Sequence, residues 1–454
     1  MRSKFFLISI LGVHVFLLFF LRFTAWPEMI AYPYLLNHGF SFYNDIIQPY
    51  FPFLSYFLLF WFRLFGFTPF VLQQVTIAII SITDILFFAL LKKFFSVNKS
   101  IMLLLLFVIL QIFCEGNGMW FDLVVTPFIL SAVFFLIHFQ KTKTNFWLVG
   151  TGIFVGLSFL IKQTSLWYEI GILLFLFSQR KLPAAIFFVI ASLIPFVLLQ
   201  IFFAPHNVLF WSIKFPFVIM PRLPGYILFP TAKQLFVTGF IFLPVVFLLK
   251  NILIKSKNRE TEILFVLLTF TSLGFLYPRF AYFHLQPALP FVVMLFGFVF
   301  APLQGFRLNR VIASVYVLGI IVLFLRFTQR EALMPVRFFE PHVVNDAVFL
   351  KEHITNEGPV FFYNVPANYM VAGDLIPTKP WADTFPWYLE YPGIQEKIIE
   401  NLNNQNVNSV IFSPFLNGNR FALGSYKPEK IDYFIQQNFS IHQPLGNNLM
   451  ILRR

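Results

Sequence analysis

The sequence predicts a polytopic α-helical membrane protein that carries a small α/β domain towards its C-terminal end. Composition is the first ground: 58% of residues are hydrophobic and only 12% charged. The mean hydropathy of +0.77 lies far outside the range of soluble globular proteins. Apolar runs of the ~20 residues needed to cross ~30 Å of hydrocarbon recur along the first three quarters of the chain. Most Lys and Arg residues between them fall in short loops, as orientation signals do. The net charge of +13 is therefore read as topology and not as a nucleic-acid footprint. The single cysteine, Cys114, rules out an internal disulfide. The 68 phenylalanines are read as filling lipid-facing positions.

Arg2 and Lys4 precede an apolar run, 5–22, which reads as an uncleaved first helix passing from inside to outside. Residues 23–68 then form an external loop that is long, aromatic and sparsely charged. Its stretch 51–66 is apolar enough to span, but a span there would put Lys92 and Lys93 outside. It is read instead as a juxtamembrane helix lying along the interface, with Arg63 facing water. Further spans follow at 69–91, 101–113, 123–139 and 146–161, then a sixth that returns to Arg180 and Lys181. The remainder are 183–203, 234–249, 261–276, 287–302 and 309–327, about eleven in all. Lys92, Lys93 and Lys99, Lys141 and Lys143, Lys250, Lys255, Lys257 and Arg259, and Arg307 and Arg310 all land inside. Residues 1–328 are thus expected to be a transmembrane domain and 329–454 an extracytoplasmic one. In the latter, 345–354 and 393–403 read as amphipathic helices. Residues 359–363, 407–412 and 448–452 read as strands, the alternation of a small α/β domain.

Charges near or within spans are costly and are functional candidates for that reason. Glu28 and Asp45 share the first external loop, and Glu115 and Asp122 flank the second. Lys162 caps the third, and Arg279 and His284 lie in YPRFAYFHLQPALP, with Tyr282 between them. Asp84 and Glu169 fall inside spans and are read as structural pairings. Loops on one face of a bundle converge, so these acids and bases are expected at one outer surface. Such a set suits transfer of a group from a lipid phosphate. A carboxylate takes the proton of an attacking hydroxyl or amine, and Arg or Lys stabilises the anionic leaving group. Paired external acids such as Glu115 and Asp122 also suit a divalent cation, Mg or Mn. No phosphate-binding glycine loop, cysteine-rich metal motif or nucleophile elbow is present.

Three stretches carry a resemblance. HGFSFYNDIIQPYFPFLSYFLLFWFRLFGFTPF, GLSFLIKQTSLW and PRFAYFHLQPALP are similar to motifs of the GT-C superfamily of integral-membrane glycosyltransferases. The likeness is to its bacterial protein-mannosyltransferase and aminoarabinose-transferase branch. That resemblance implies a polyprenyl-phosphate sugar donor, an inverted product linkage, and a general base in the first external loop. The family's Asp-Glu pair reads Trp26-Pro27-Glu28 here, without the leading Asp, so the base is open between Glu28 and Asp45. The resemblance also implies that Arg279, with Lys162, His284 and Tyr282, meets the donor phosphate.

The expected activity is therefore glycosyl transfer at the outer face of the cytoplasmic (inner) membrane. The acceptor is a protein, a glycolipid or a cell-wall glycan; the partners are membrane lipids, the donor and that acceptor, with no nucleic acid. A transporter or flippase, and a non-catalytic membrane scaffold, are the alternatives. The first predicts midplane charges in matching halves, and the second predicts that the external acids are dispensable.

Overall fold

A computed structural model describes residues 2–247, 259–300, 307–354, 358–383, 385–418, 424–445 and 449–454. Helices stand at each expected span. The first nine helices of the chain are α1 (Arg2–Phe20), α2 (Pro27–Asn37), α3 (Phe53–Phe65), α4 (Pro69–Leu91), α5 (Val97–Phe113), α6 (Phe121–Thr142), α7 (Asn145–Ile161), α8 (Leu166–Ser178) and α9 (Leu182–Phe202). At the later expected spans stand the helices Ala232–Ile241, Arg259–Ser272, Leu289–Phe300 and Arg307–Glu331. Among the described residues, four helices are long and apolar enough to cross a membrane: Pro69–Leu91, Phe121–Thr142, Leu182–Phe202 and Arg310–Glu331. Lys250, Lys255 and Lys257, residues 248 and 249 of the expected eighth span, 301 and 302 of the tenth, and 448 of the last expected strand lie outside the described residues.

Chain contacts divide the molecule into two units. The first comprises Met1–Phe23, Thr76–Phe202 and Leu228–Met334, and the second Thr24–Val75, Phe203–Ile227 and Pro335–Arg454.

In the first unit α7 packs closely on α9, and sequence explains how. Gly152 and Gly156 stand one turn apart on α7. A Cβ on Gly156 would come 2.2 Å from the Ser192 carbonyl oxygen, and one on Gly152 would come 2.7 Å from that of Phe188. Small residues at this spacing let two membrane helices bring their backbones together. Gly156→Ala is therefore expected to cost about 1–3 kcal/mol, the usual range for overpacking, read as a lower thermal midpoint in detergent. Gly12→Ala, where a Cβ meets nothing within 4 Å, should leave that midpoint in place.

Buried polar side chains fix the turn between α5 and α6. Asn117 Nδ2 donates to the carbonyls of Leu18, Leu21 and Arg22 at 3.0, 2.8 and 3.1 Å. Gln286 Nε2 donates to the carbonyls of Gln111 and Cys114 at 2.9 and 2.8 Å. Asp84, expected to pair, lies 2.7 Å from His14 Nδ1. Glu169 accepts from the Ser192 hydroxyl at 2.7 Å.

In the second unit α3 is an apolar helix of 13 residues with Leu54, Leu58 and Phe62 buried along one face. At 1.5 Å per residue it reaches only about 20 Å, short of the hydrocarbon thickness. Phe60, Leu64 and Phe65 project from its other face. A four-stranded sheet runs β2 (Phe361–Tyr363), β4 (Ser409–Phe412), β6 (Leu449–Arg453), β5 (Ile441–Leu445) in spatial order. The β2–β4 pair is parallel and the other two pairs are antiparallel. Helices Pro341–Ile354, Ile394–Asn404 and Glu429–Asn438 accompany it. A separate parallel pair joins β1 (Ile46–Ile47) to β3 (Trp381–Ala382), tying the stretch after α2 to the C-terminal part of the chain.

Candidate active site

Of the eight candidate residues, the first unit gathers three into one buried cluster. Asp122 stands in the first turn of α6, where the helix dipole favours an anion. Lys162 is the residue that ends α7, where the same effect favours a cation. His284 lies in the short 3-10 turn Tyr282–Leu285. Lys162 Nζ donates to Asp122 Oδ2 at 2.6 Å, and His284 Nδ1 lies 2.9 Å from the same oxygen. The Asp122 side chain is fully buried, and Lys162 nearly so. Burial pushes the Lys162 ammonium below its ordinary value, while the Asp122 charge pulls it back up. Burial likewise lowers His284, with the Lys162 charge next in importance and Arg279 contributing.

Glu115 sits just beyond α5 in a left-handed backbone conformation with φ of 58°. It is close enough to Tyr282 to act on that hydroxyl, which burial raises first. Tyr282 also packs its ring on Phe113, centroids 5.7 Å apart. Asp122 Oδ2 already faces an ammonium and an imidazole nitrogen, while its Oδ1 is buried without a hydrogen-bond partner among the described residues. Among the described residues no group of three or more His, Cys, Asp or Glu side chains could hold a metal ion.

The second unit separates its two acids by environment. Asp45 Oδ2 accepts from the backbone N–H and the hydroxyl of Ser41 at 2.9 and 2.8 Å. Lys379 Nζ lies 3.5 Å away, and the carboxylate is about a quarter exposed, at 26%. The Asp45 carbonyl accepts from Trp381 N–H at 2.7 Å. The side chain of Asp45 closes a turn, and its backbone carbonyl receives β3.

Glu28 differs. It follows Pro27, which starts α2 at a position where a missing N–H costs nothing. Only 4% of it is exposed, and its Oε2 is buried without a hydrogen-bond partner among the described residues. Burial, and then the charge of Asp383, push its carboxyl up to about 8, against a smaller opposing effect from a backbone hydrogen bond. Asp383 is itself 6% exposed. Sequence reasoning missed it. The signal available was an acid inside KPWADTFPWY, a stretch as aromatic as the first loop but far from it in the chain.

The raised carboxyl has a consequence for stability. Folded Glu28 holds its proton up to about pH 8, whereas an ordinary glutamate releases it near 4.5. The folded state therefore binds more protons through that window, and stability falls as pH rises across it. Glu28→Gln should flatten this slope in thermal unfolding measured between pH 5 and about 8.5.

Residues 48–207 match the family described as dolichyl-phosphate-mannose-protein mannosyltransferase. Over the whole chain the structure is similar to ArnT from Cupriavidus metallidurans bound to undecaprenyl phosphate. The TM-score is 0.66 at 10% identity, covering 98% of this chain and 97% of that one. The Archaeoglobus fulgidus oligosaccharyltransferase in its apo form matches with a TM-score of 0.61 at 13% identity, covering 97% of this chain and 73% of that one. This chain has the GT-C fold. No curated protein matches it in sequence.

Proposed function

We propose that this GT-C protein moves a sugar from a polyprenyl-phosphate donor to an acceptor at the outer face of the cytoplasmic membrane, with Glu28 as general base. About eleven membrane crossings, with the first loop and residues 329–454 outside, are part of this reading. The observation that carries the base assignment is the buried, unpartnered Oε2 of Glu28 at the start of α2. Asp45, by contrast, already spends one oxygen on Ser41. Glu28 ionises near 8, close to the operating pH at which a base is most effective.

In the proposed step an acceptor O–H or N–H gives its proton to Glu28. The acceptor's lone pair forms a bond to the anomeric carbon. The bond from that carbon to the phosphate oxygen breaks, and its electron pair leaves on polyprenyl phosphate, which inverts the linkage. Stabilising the leaving phosphate is assigned to Arg279, the residue the resemblance puts near the lipid phosphate. No step calls on a metal.

The test uses purified protein in nanodiscs with a panel of radiolabelled polyprenyl-phosphate sugars, following release of polyprenyl phosphate. Turnover is expected with one donor class and should rise with pH through about 8 as Glu28 ionises. Arg279→Ala should raise KM for the donor. Asp45→Asn should retain turnover at lower stability. Turnover abolished in Asp45→Asn protein that remains folded would reassign the base.

A further inference from the structure

The C-terminal part of the chain reaches the stretch between Tyr32 and Ile47 through several contacts. β3 pairs in parallel with β1, matching Ile46 with Trp381 and Ile47 with Ala382. Lys379 Nζ donates to the Gly39 carbonyl at 2.8 Å. The Trp381 ring packs edge-on against Tyr32, centroids 5.9 Å apart, and Tyr32 stands one helical turn beyond Glu28 on α2. Asp383 follows Trp381 by two residues and is buried. The hydroxyls of Tyr32 and Tyr388, both buried, each feel Asp383 and Glu28, and Tyr50 acts on both as well.

Two carboxylates in one buried setting do not both ionise readily, because each charge disfavours the other. They titrate as a pair. Glu28 keeps an unpartnered oxygen.

We propose that Asp383 is a positioning residue for Glu28. The charge of the Asp383 carboxylate, brought to α2 by the β3 segment, sets how readily Glu28 accepts a proton. The catalytic consequence rests on Glu28 being the base, whereas the electrostatic coupling does not. On this account the C-terminal segment is part of the reacting machinery, and pairing of β3 with β1 brings the tuning charge to it. Tyr32 and Tyr388 also feel Glu28, and burial raises both hydroxyls well above their ordinary value. No basic side chain acts on Glu28 among the described residues.

The test is difference infrared spectroscopy of the full-length protein in nanodiscs, titrated from pH 5 to about 10, beside turnover of whichever donor the wild type consumes. A carboxyl band that disappears with a midpoint near 8, and is missing in Glu28→Gln, marks Glu28. In Asp383→Asn that midpoint should fall by about one pH unit or more, and the pH profile of turnover should move with it. Asp383→Glu keeps the charge and should restore both towards wild type. If Asp383→Asn does not fold, Asp383→Glu and Asp383→Ser are read the same way, the first keeping the midpoint and the second lowering it. A midpoint that stays near 8 without a charge at 383 overturns the proposal. A midpoint that falls in protein that consumes no donor supports the pair while removing the glycosyl-transfer reading.

Discussion

Glu28→Gln is expected to lower turnover by about 10²–10⁴-fold, the usual contribution of a general base, with little change in KM for the donor. The amide is close to isosteric and neutral, and at neutral pH the native carboxyl is itself largely protonated. The substitution therefore preserves packing around α2 while removing the one form able to take a proton. A structural role would show the opposite balance. An isosteric, neutral replacement at a site that is mostly neutral already should leave stability near pH 6 almost unchanged. Loss of turnover without loss of stability is therefore the signature, and kcat measured beside a thermal midpoint at that pH reads both.

Lys162→Met is the second large effect, and it falls on stability. The substitution strips the ammonium from a fully buried carboxylate, leaving Asp122 with only His284 on its bonded oxygen. Its Oδ1 is already buried without a partner among the described residues. Breaking one side of a buried pair costs about 3–5 kcal/mol, because the remaining charge is stranded where water cannot reach it. Chemical denaturation in detergent should show that loss. Replacing both partners, Asp122→Leu with Lys162→Met, should recover much of it, since no buried charge is then left alone. Equal losses in the single and double variants would show that the pair contributes through shape and not through charge.

The helical bundle was largely legible in the sequence because a bilayer imposes simple terms on it: length, apolarity and the side on which basic residues lie. Positive charge at Lys92 and Lys93 led to reading 51–66 as lying outside the count of spans; it folds as the 13-residue helix α3. Asp84 was read as structural because a charge inside a span needs a partner; the partner, His14, sits on α1. What the sequence hid were pairings between distant short segments. β1 and β3 are two residues each, too short for any period to emerge, so nothing announced that the charge of Asp383 would act on Glu28. β5 went unseen because Pro444 interrupts it, which an edge strand tolerates.

The first-loop acids show a different limit. Scarcity of charge in an aromatic loop marked Asp45 and Glu28 alike. Composition does not separate a carboxylate that closes a turn with Ser41 from one buried with an oxygen unpartnered. The convergence of Asp122, Lys162 and His284 follows from a helix start, a helix end and a short turn meeting inside one unit. Glu115, the other acid flanking the loop before α6, stands instead just beyond α5, where it acts on Tyr282.

The most direct measurement is release of polyprenyl phosphate from the consumed donor by wild type, Glu28→Gln and Asp45→Asn side by side at a pH near 8.5, where the native Glu28 is mostly ionised. Release by the wild type and by Asp45→Asn, with Glu28→Gln at background, is the predicted result. Release by Glu28→Gln at the wild-type rate would contradict it.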